Sequence, residues 1–196
     1  SELLQKSQRP LIHVGNGIRG HEAQFFRLVE TYRIPVVTAR NANDICDSAH
    51  PLFVGRPGTF GQRAANFAVQ RCDFYLAIGT RLSLTQTGYN TRDYARGAKI
   101  VQVNIDPAEL GKDSLRDPIN RQVDAGTFLV ELLRDLPDNH GVMVWDTWVK
   151  RCQSWKERYP VCLPEYKDEP YVNSYYFIDQ LSEVLNERDV IVTDMG

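Results

Sequence analysis

"PLIHVGNGIRGHEAQFFRLVETYRIPVVTA", residues 10–39, decides the fold. Residues 10–14 form a short apolar run that flows directly into Gly15, Gly17 and Gly20. Residues 21–32 then place Phe25, Leu28, Val29 and Tyr32 on one helical face, and residues 34–39 return to an apolar run of strand length. Strand, glycine turn, helix and strand make a βαβ unit, in which the two strands lie parallel because the helix carries the chain back.

The same grammar continues downstream. The spacing predicts a helix over 62–71, strands over 74–80 and 99–106, a short final strand near 121–123 and an amphipathic helix over 124–136. Val- and Ile-rich strands alternating with helices argue for a three-layer α/β fold, a doubly wound Rossmann-like parallel sheet covered on both faces. A further helix is expected over 144–159, where Trp145, Trp148, Cys152 and Trp155 share one face as a packing stripe.

Residues 160–170, "PVCLPEYKDEP", have the prolines and mixed charge of a linker. The expected organisation is a main domain over 1–160, a linker over 161–172, and an appendage over 173–196. That appendage opens with Asn173 and Ser174 as helix caps and carries Phe177, Leu181 and Leu185 four residues apart. It ends in a strand-like run, 190–196. A parallel strand needs a neighbour, so residues 173–196 read as the opening helix and strand of a next domain that the sequence cuts short.

Composition narrows the partners. The 23 lysines and arginines against 25 aspartates and glutamates leave a net charge of −2, so no global field draws the chain to nucleic acid or to a membrane surface. Any anion site is local. Cys46, Cys72, Cys152 and Cys162 form no CxxC pair, and His13, His21, His50 and His140 give no zinc-ligand spacing. Scattered cysteines without a signal peptide read as reduced thiols in a cytoplasmic protein, Cys72 among them in the core, and no apolar run approaches the ~20 residues of a membrane helix.

Gly15-Asn16-Gly17-Ile18-Arg19-Gly20 matches GxGxxG in the context that pattern requires, after a strand and before a helix. There the first glycine allows the tight turn and the second lets the backbone approach a phosphate. The acidic residue expected some 20 positions on is absent, because the second strand ends Thr38-Ala39-Arg40. That argues against NAD and leaves NADP only through Arg40. Two readings stay open: a phosphate cradle, or glycines that merely turn the chain.

Gly55, Gly58 and Gly61 form a second glycine loop whose free amides could wrap an anion, and Gly79-Thr80-Arg81 follows a strand at its carboxyl end. Ligands of open parallel sheets sit outside the carboxyl ends of the strands, so these loops are expected to converge on one edge. Asn104 and Asp106 end another strand there and could hydrogen-bond a ribose or an adenine edge; alternatively Asp106-Pro107 caps the following turn. Arg63, Arg71 and Arg92 read as solvated charges.

The strings "RPLIHVGNGIRG", "VGRPGTFGQRAANFAVQRCDFYLAIGTRLS", "KIVQVNIDPAELGK", "VDAG" and "VIVTDMG", in this order, resemble the thiamine-diphosphate enzymes of the acetolactate synthase type. The likeness spans essentially the whole chain and corresponds to that family's central domain plus the first helix and strand of its C-terminal cofactor domain. It implies a parallel sheet of about six strands that holds FAD or ADP in some members and nothing in others. Position by position it implies nucleotide contacts from Gly15, Asn16, Gly17, Thr38, Gly55, Pro57, Gly58, Gly79, Arg81, Asn104, Asp124 and Ala125, with Arg81 near a flavin or pyrophosphate; Asp106 joins these candidates from its place at the strand end. Pro57 stands where flavin-binding members usually have His, and Asn104 where some have an acid.

The resemblance also implies thiamine diphosphate and Mg²⁺ in a longer parent protein, bound by elements these residues do not include: an upstream Glu and a downstream GDG-type loop with its Asn. Asp194-Met195-Gly196 matches only the strand leading to that half. The expected parent is a homodimer or homotetramer that cleaves or forms a bond next to the carbonyl of a 2-oxo acid such as pyruvate, and these residues alone are expected to be inactive. Two other readings stand beside it: a purely structural subunit-contact domain with a vestigial nucleotide site, and a sirtuin-like domain, whose structural CxxC pairs and catalytic His loop are missing here.

Overall fold

The computed structural model describes residues 1–113, 115–137 and 145–192. They gather into two units, Ser1–Tyr159 and Pro160–Gly196, taken here one at a time.

In the first unit six strands, β1 (Pro10–Val14), β2 (Val36–Thr38), β3 (Phe53–Gly55), β4 (Phe74–Ile78), β5 (Lys99–Asn104) and β6 (Ile119–Gln122), form one sheet in the order β3-β2-β1-β4-β5-β6. Every pairing is parallel. The central strands β1 and β4 are buried at every position, as continuous apolar runs covered on both faces must be. Between the strands come α1 (Glu2–Gln5), α2 (Glu22–Tyr32), α3 (Arg63–Arg71), α4 (Leu84–Thr87), α5 (Pro107–Leu110), α6 (Ala125–Asp135) and α7 (Asp146–Arg158). Helix α2 packs beside α6, and α3 beside α7, giving the three layers.

Phe25, Leu28, Val29 and Tyr32 form the buried stripe of α2, as their spacing requires. Each full burial of a side chain of this size contributes about 1.5–3 kcal/mol. The tryptophan stripe of α7 is packing: Trp145, Trp148 and Cys152 are buried, and the rings of Trp148 and Trp155 meet edge to face at 5.7 Å. Two of its indoles also tie the helix to the start of the sheet, Trp145 Nε1 donating to the Ser7 carbonyl and Trp148 Nε1 to that of Pro10, both at 2.9 Å.

Several boundaries differ from the sequence reading. Strand β3, with three residues directly ahead of the glycine loop, has no periodicity to reveal it; it borders the sheet and pairs with β2 through an irregular register at Val36 and Val37. Strand β5 stops at Asn104 rather than at 106, because Asp106 turns to accept the Ala108 amide (2.8 Å) and caps α5 at Pro107. The final strand begins two residues earlier than expected, at Ile119. Helix α7 starts at Asp146, and Val144 lies outside the described residues.

In the second unit, Pro164–Asp168 form a 3-10 turn and α8 spans Ser174–Val184. Asn173 caps it, its side-chain oxygen accepting from the amides of Tyr175 (2.9 Å) and Tyr176 (3.4 Å). The rings of Tyr166 and Tyr175 stack at 6.1 Å. The helix ends five residues before the expected 189, and residues 190–192 form no strand: an extended run without a neighbouring strand has no ladder to join. The rest of that expected strand, with Asp194-Met195-Gly196, lies outside the described residues. Among the described residues, no helix is long and apolar enough to cross a membrane.

Candidate functional site

The strand order reverses its direction of growth between β1 and β4, and at such a switch point the loops leaving the two strands diverge and open a crevice at their carboxyl ends. Here the two loops first interlock. The Gly15 amide donates to the Ile78 carbonyl (3.0 Å) and the Gly17 amide to the Gly79 carbonyl (3.0 Å). A Cβ on Gly17 would lie 2.7 Å from Gly79 Cα, and one on Gly79 the same distance from Gly17 Cα. These glycines are required because two backbones touch, a reason distinct from both a phosphate approach and a simple turn.

Beside that contact, the loops after β1, β4, β5 and β6 enclose a cavity of about 500 Å³. Asn16, Gly17, Gly79, Arg81, Asn104, Asp106, Asp124 and Ala125, all expected site residues, line it together with Val103, Ile105 and Glu109. Gly15, Thr38, Gly55, Pro57 and Gly58 do not line it.

The loop of residues 55–61 does not offer the free amides its glycines promised. Four of its amides are engaged by protein partners: Arg56 to the Gln62 side chain (2.9 Å), Gly58 to Asn66 (2.9 Å), Thr59 to the Thr85 carbonyl (2.8 Å) and Gly61 to that of Gly58 (3.0 Å). Thr38, at the carboxyl end of β2, is fully buried, and its hydroxyl has no hydrogen-bond partner among the described residues.

Charge in the cavity is arranged rather than merely present. Glu109 is the hub: its carboxylate accepts from Arg81 Nε (2.9 Å) and from the Lys112 ammonium. Burial works to raise its pKa, but the hydrogen bonds from Lys112 and Arg81 outweigh burial and hold it below the usual carboxylate range. The three groups carry a net single positive charge, and the Arg81 side chain remains 77% exposed. Asp124 accepts the Thr127 amide (3.0 Å) as the cap of α6, and that bond, helped by His21 at 3.8 Å, lowers its pKa.

Asn104 is structural as well as lining: it donates to the Thr80 carbonyl (3.3 Å) and accepts from the Asp106 amide (3.0 Å), locking the β4 loop to the β5 turn. Glu109 and Lys112 escaped the sequence reading. Their three-residue spacing after the Pro107 helix start was a signal; the pairing of Glu109 with Arg81, across two loops, left none. Among the described residues, no three His, Cys, Asp or Glu side chains gather in the manner of metal ligands.

The residues fit an adenosine diphosphate moiety. The cavity volume suits a ligand of that size; Asp106 and Asp124 offer carboxylate acceptors to ribose hydroxyls or an amino group, and Arg81 offers a cationic side to a diphosphate.

Comparison with known proteins follows the same line. The sequence model for "Thiamine pyrophosphate enzyme, central domain" matches residues 1–132. A probable acetolactate synthase large subunit of Methanocaldococcus jannaschii is 36% identical over 204 residues, covering 100% of this chain and 34% of that protein. The acetolactate synthase large subunit of Parasynechococcus marenigrum is 33% identical, over 100% of this chain and 31% of its own length. An acetolactate synthase of Mycobacterium bovis is 32% identical, over 100% and 32%. The chain thus spans about a third of the length of these relatives.

Proposed function

The chain belongs to the thiamine pyrophosphate enzymes, whose central domain it contains, and from that premise we propose that its sheet is a scaffold that binds the ADP moiety of a nucleotide, as ADP itself or within FAD. The observation that carries this reading is the cavity at the switch-point edge, where eight expected contact residues meet around the Arg81–Glu109–Lys112 cluster. Asp106 and Asp124 face the nucleoside, and Arg81 the diphosphate.

The whole protein, on the same proposal, is a cytoplasmic acetolactate synthase-like homodimer or homotetramer that uses thiamine diphosphate with Mg²⁺ on a 2-oxo acid such as pyruvate. Likeness to acetolactate synthases along the full chain and the four free cysteines support it. Thiamine diphosphate, when bound, supplies the carbanion chemistry for breaking or making the bond beside the carbonyl. This chain's part is to hold its neighbouring domains in register, braced by the nucleotide.

A second reading, a structural domain with a vestigial site, is favoured by one observation: the amides of Gly15, Gly17 and four residues of the 55–61 loop are already satisfied by protein partners. Thermal shift and equilibrium titration with ADP, FAD, NAD and thiamine diphosphate separate the two. ADP present at a hundred times its Kd adds about 2.7 kcal/mol and raises Tm by roughly 5–10 °C. Arg81→Ala then weakens ADP binding by about tenfold or more, since it removes a charge-assisted contact, and it lowers the ligand-free Tm modestly, because buried Glu109 keeps only Lys112. No shift with ADP or FAD establishes the structural reading; tight binding of thiamine diphosphate by this chain contradicts both.

A further inference from the structure

At the opposite edge of the sheet, where β1 and β4 begin, a groove of about 1150 Å³ runs between α3 and α7. Its floor is aromatic. Phe67 meets Trp155 at 5.8 Å and Tyr159 at 5.4 Å, with the rings tilted 59° and 65°. Its rim is cationic: Arg71, Lys150 and Arg151 are all exposed, and among the described residues none has a carboxylate within ion-pair distance. Asp73, beside the groove, is taken up by the amides of Gln8 (3.0 Å) and Arg9 (2.8 Å). A cluster of exposed cations around apolar rings sets up a local field that draws an anionic partner to the groove.

Arg151, on the rim, lies over the Trp155 ring at 5.4 Å, and Arg63, outside the groove lining, lies over the Tyr159 ring at 4.2 Å. A guanidinium over a ring is held by cation–π attraction while its N–H groups remain available to a carboxylate. The same stacking covers the ring faces on which a nucleobase would otherwise stack, which counts against single-stranded nucleic acid. A small phosphorylated ligand fits less well too. The cations come from separate elements around an open trough larger than the usual 300–1,000 Å³ small-molecule pocket.

We propose that this groove docks an acidic, extended polypeptide segment of a partner protein, its carboxylates on Arg71, Lys150 and Arg151 and an apolar side chain against Trp155 and Phe67. Charge complementarity steers and orients the segment, and the aromatic floor supplies the desolvated anchor. This docking is independent of the nucleotide cavity, which opens at the other end of the strands.

The test is fluorescence anisotropy of a labelled synthetic peptide in which glutamates flank a central phenylalanine, titrated with the full chain. The expected results are saturable binding that weakens steeply with salt, loss of at least about tenfold in affinity for the Lys150→Glu, Arg151→Glu double variant, and no binding of the lysine-for-glutamate peptide. Both substituted side chains are exposed, so an unchanged melting curve shows that the variant is folded. Equal binding of either peptide, or indifference to the charge reversal, overturns the proposal. So does competition by ATP or a single-stranded RNA at lower concentration than by the unlabelled glutamate peptide. Self-association of the chain in sedimentation that the double variant abolishes, without peptide binding, would assign the groove to a second copy instead.

Discussion

Gly79→Ala destabilises the chain by about 3–5 kcal/mol, read as a fall in the midpoint of urea unfolding at unchanged slope. Two effects combine. Gly79 sits at φ +58°, in the left-handed region, where a Cβ alone costs roughly 1–2 kcal/mol. That Cβ would also lie 2.7 Å from Gly17 Cα, 2.9 Å from its carbonyl carbon and 3.1 Å from its nitrogen. All three are backbone atoms, so no rotamer can give way. The loops after β1 and β4 must part, and the bonds from Gly15 to Ile78 and from Gly17 to Gly79 go with them. Gly20→Ala is the control: Gly20 has φ +83° but nothing within 4 Å of its missing Cβ, so only the conformational cost of roughly 1–2 kcal/mol remains. Equal losses for the two variants would show that the interlock between the loops carries no energy of its own.

That interlock also explains why the glycine motif was hard to interpret from residues alone. A glycine that lets a phosphate approach the backbone and one that lets another backbone approach it occupy the same place after a strand, and only the fold distinguishes them. The strands and helices themselves were legible, because burial on both faces writes β1 and β4 as unbroken apolar runs and a one-sided helix writes α2 as Phe25, Leu28, Val29 and Tyr32. Strand β3 was not, since three residues carry no period. The capping of α5 by Asp106 was one of two open readings, and the Ala108 amide decides that the cap is formed while the residue still lines the cavity. Convergence of Gly17, Arg81 and Asn104 on one edge followed from the rule that ligands sit at the carboxyl ends of parallel strands, whereas the 55–61 loop, expected there by the same rule, does not line the cavity, and Asp124 came only from the family resemblance. The Glu109 hub followed from neither, because it arises where separate loops meet.

Between pH 6.5 and 4.5 the chain should lose about 2 kcal/mol of stability through one histidine that has no place in the cavity. His13, in the middle of β1, is fully buried. It belongs to a hydrogen-bonded series with a consistent direction: Thr80 Oγ1 donates to Gln86 Oε1 (3.5 Å), Gln86 Nε2 to His13 Nε2 (3.2 Å), His13 Nδ1 to the Tyr75 hydroxyl, and Tyr75 in turn to the Tyr94 hydroxyl (2.8 Å). Because Nε2 accepts, the ring is the neutral tautomer protonated on Nδ1. Burial pushes its pKa down to about 3 from the ordinary 6.5. In the unfolded chain the same imidazole takes a proton as pH drops through 6.5, whereas the folded one refuses it until about 3. Stability is therefore complete above 6.5 and declines toward 3, by at most about 1.4 kcal/mol per pH unit. His13→Asn keeps a donor near the Nδ1 position but cannot titrate. It is expected to be less stable at pH 8, because Gln86 loses its acceptor, and to show a flatter stability profile between pH 6.5 and 4.5. The carboxylates with lowered pKa values, Asp44, Glu109 and Asp124, exert their pull mainly below this window, so they do not mimic the effect. Denaturant melts of the two proteins at stepped pH decide the matter: parallel profiles would mean that His13 accepts its proton in the folded state and that the series through Tyr75 is not the sealed, neutral core its geometry describes.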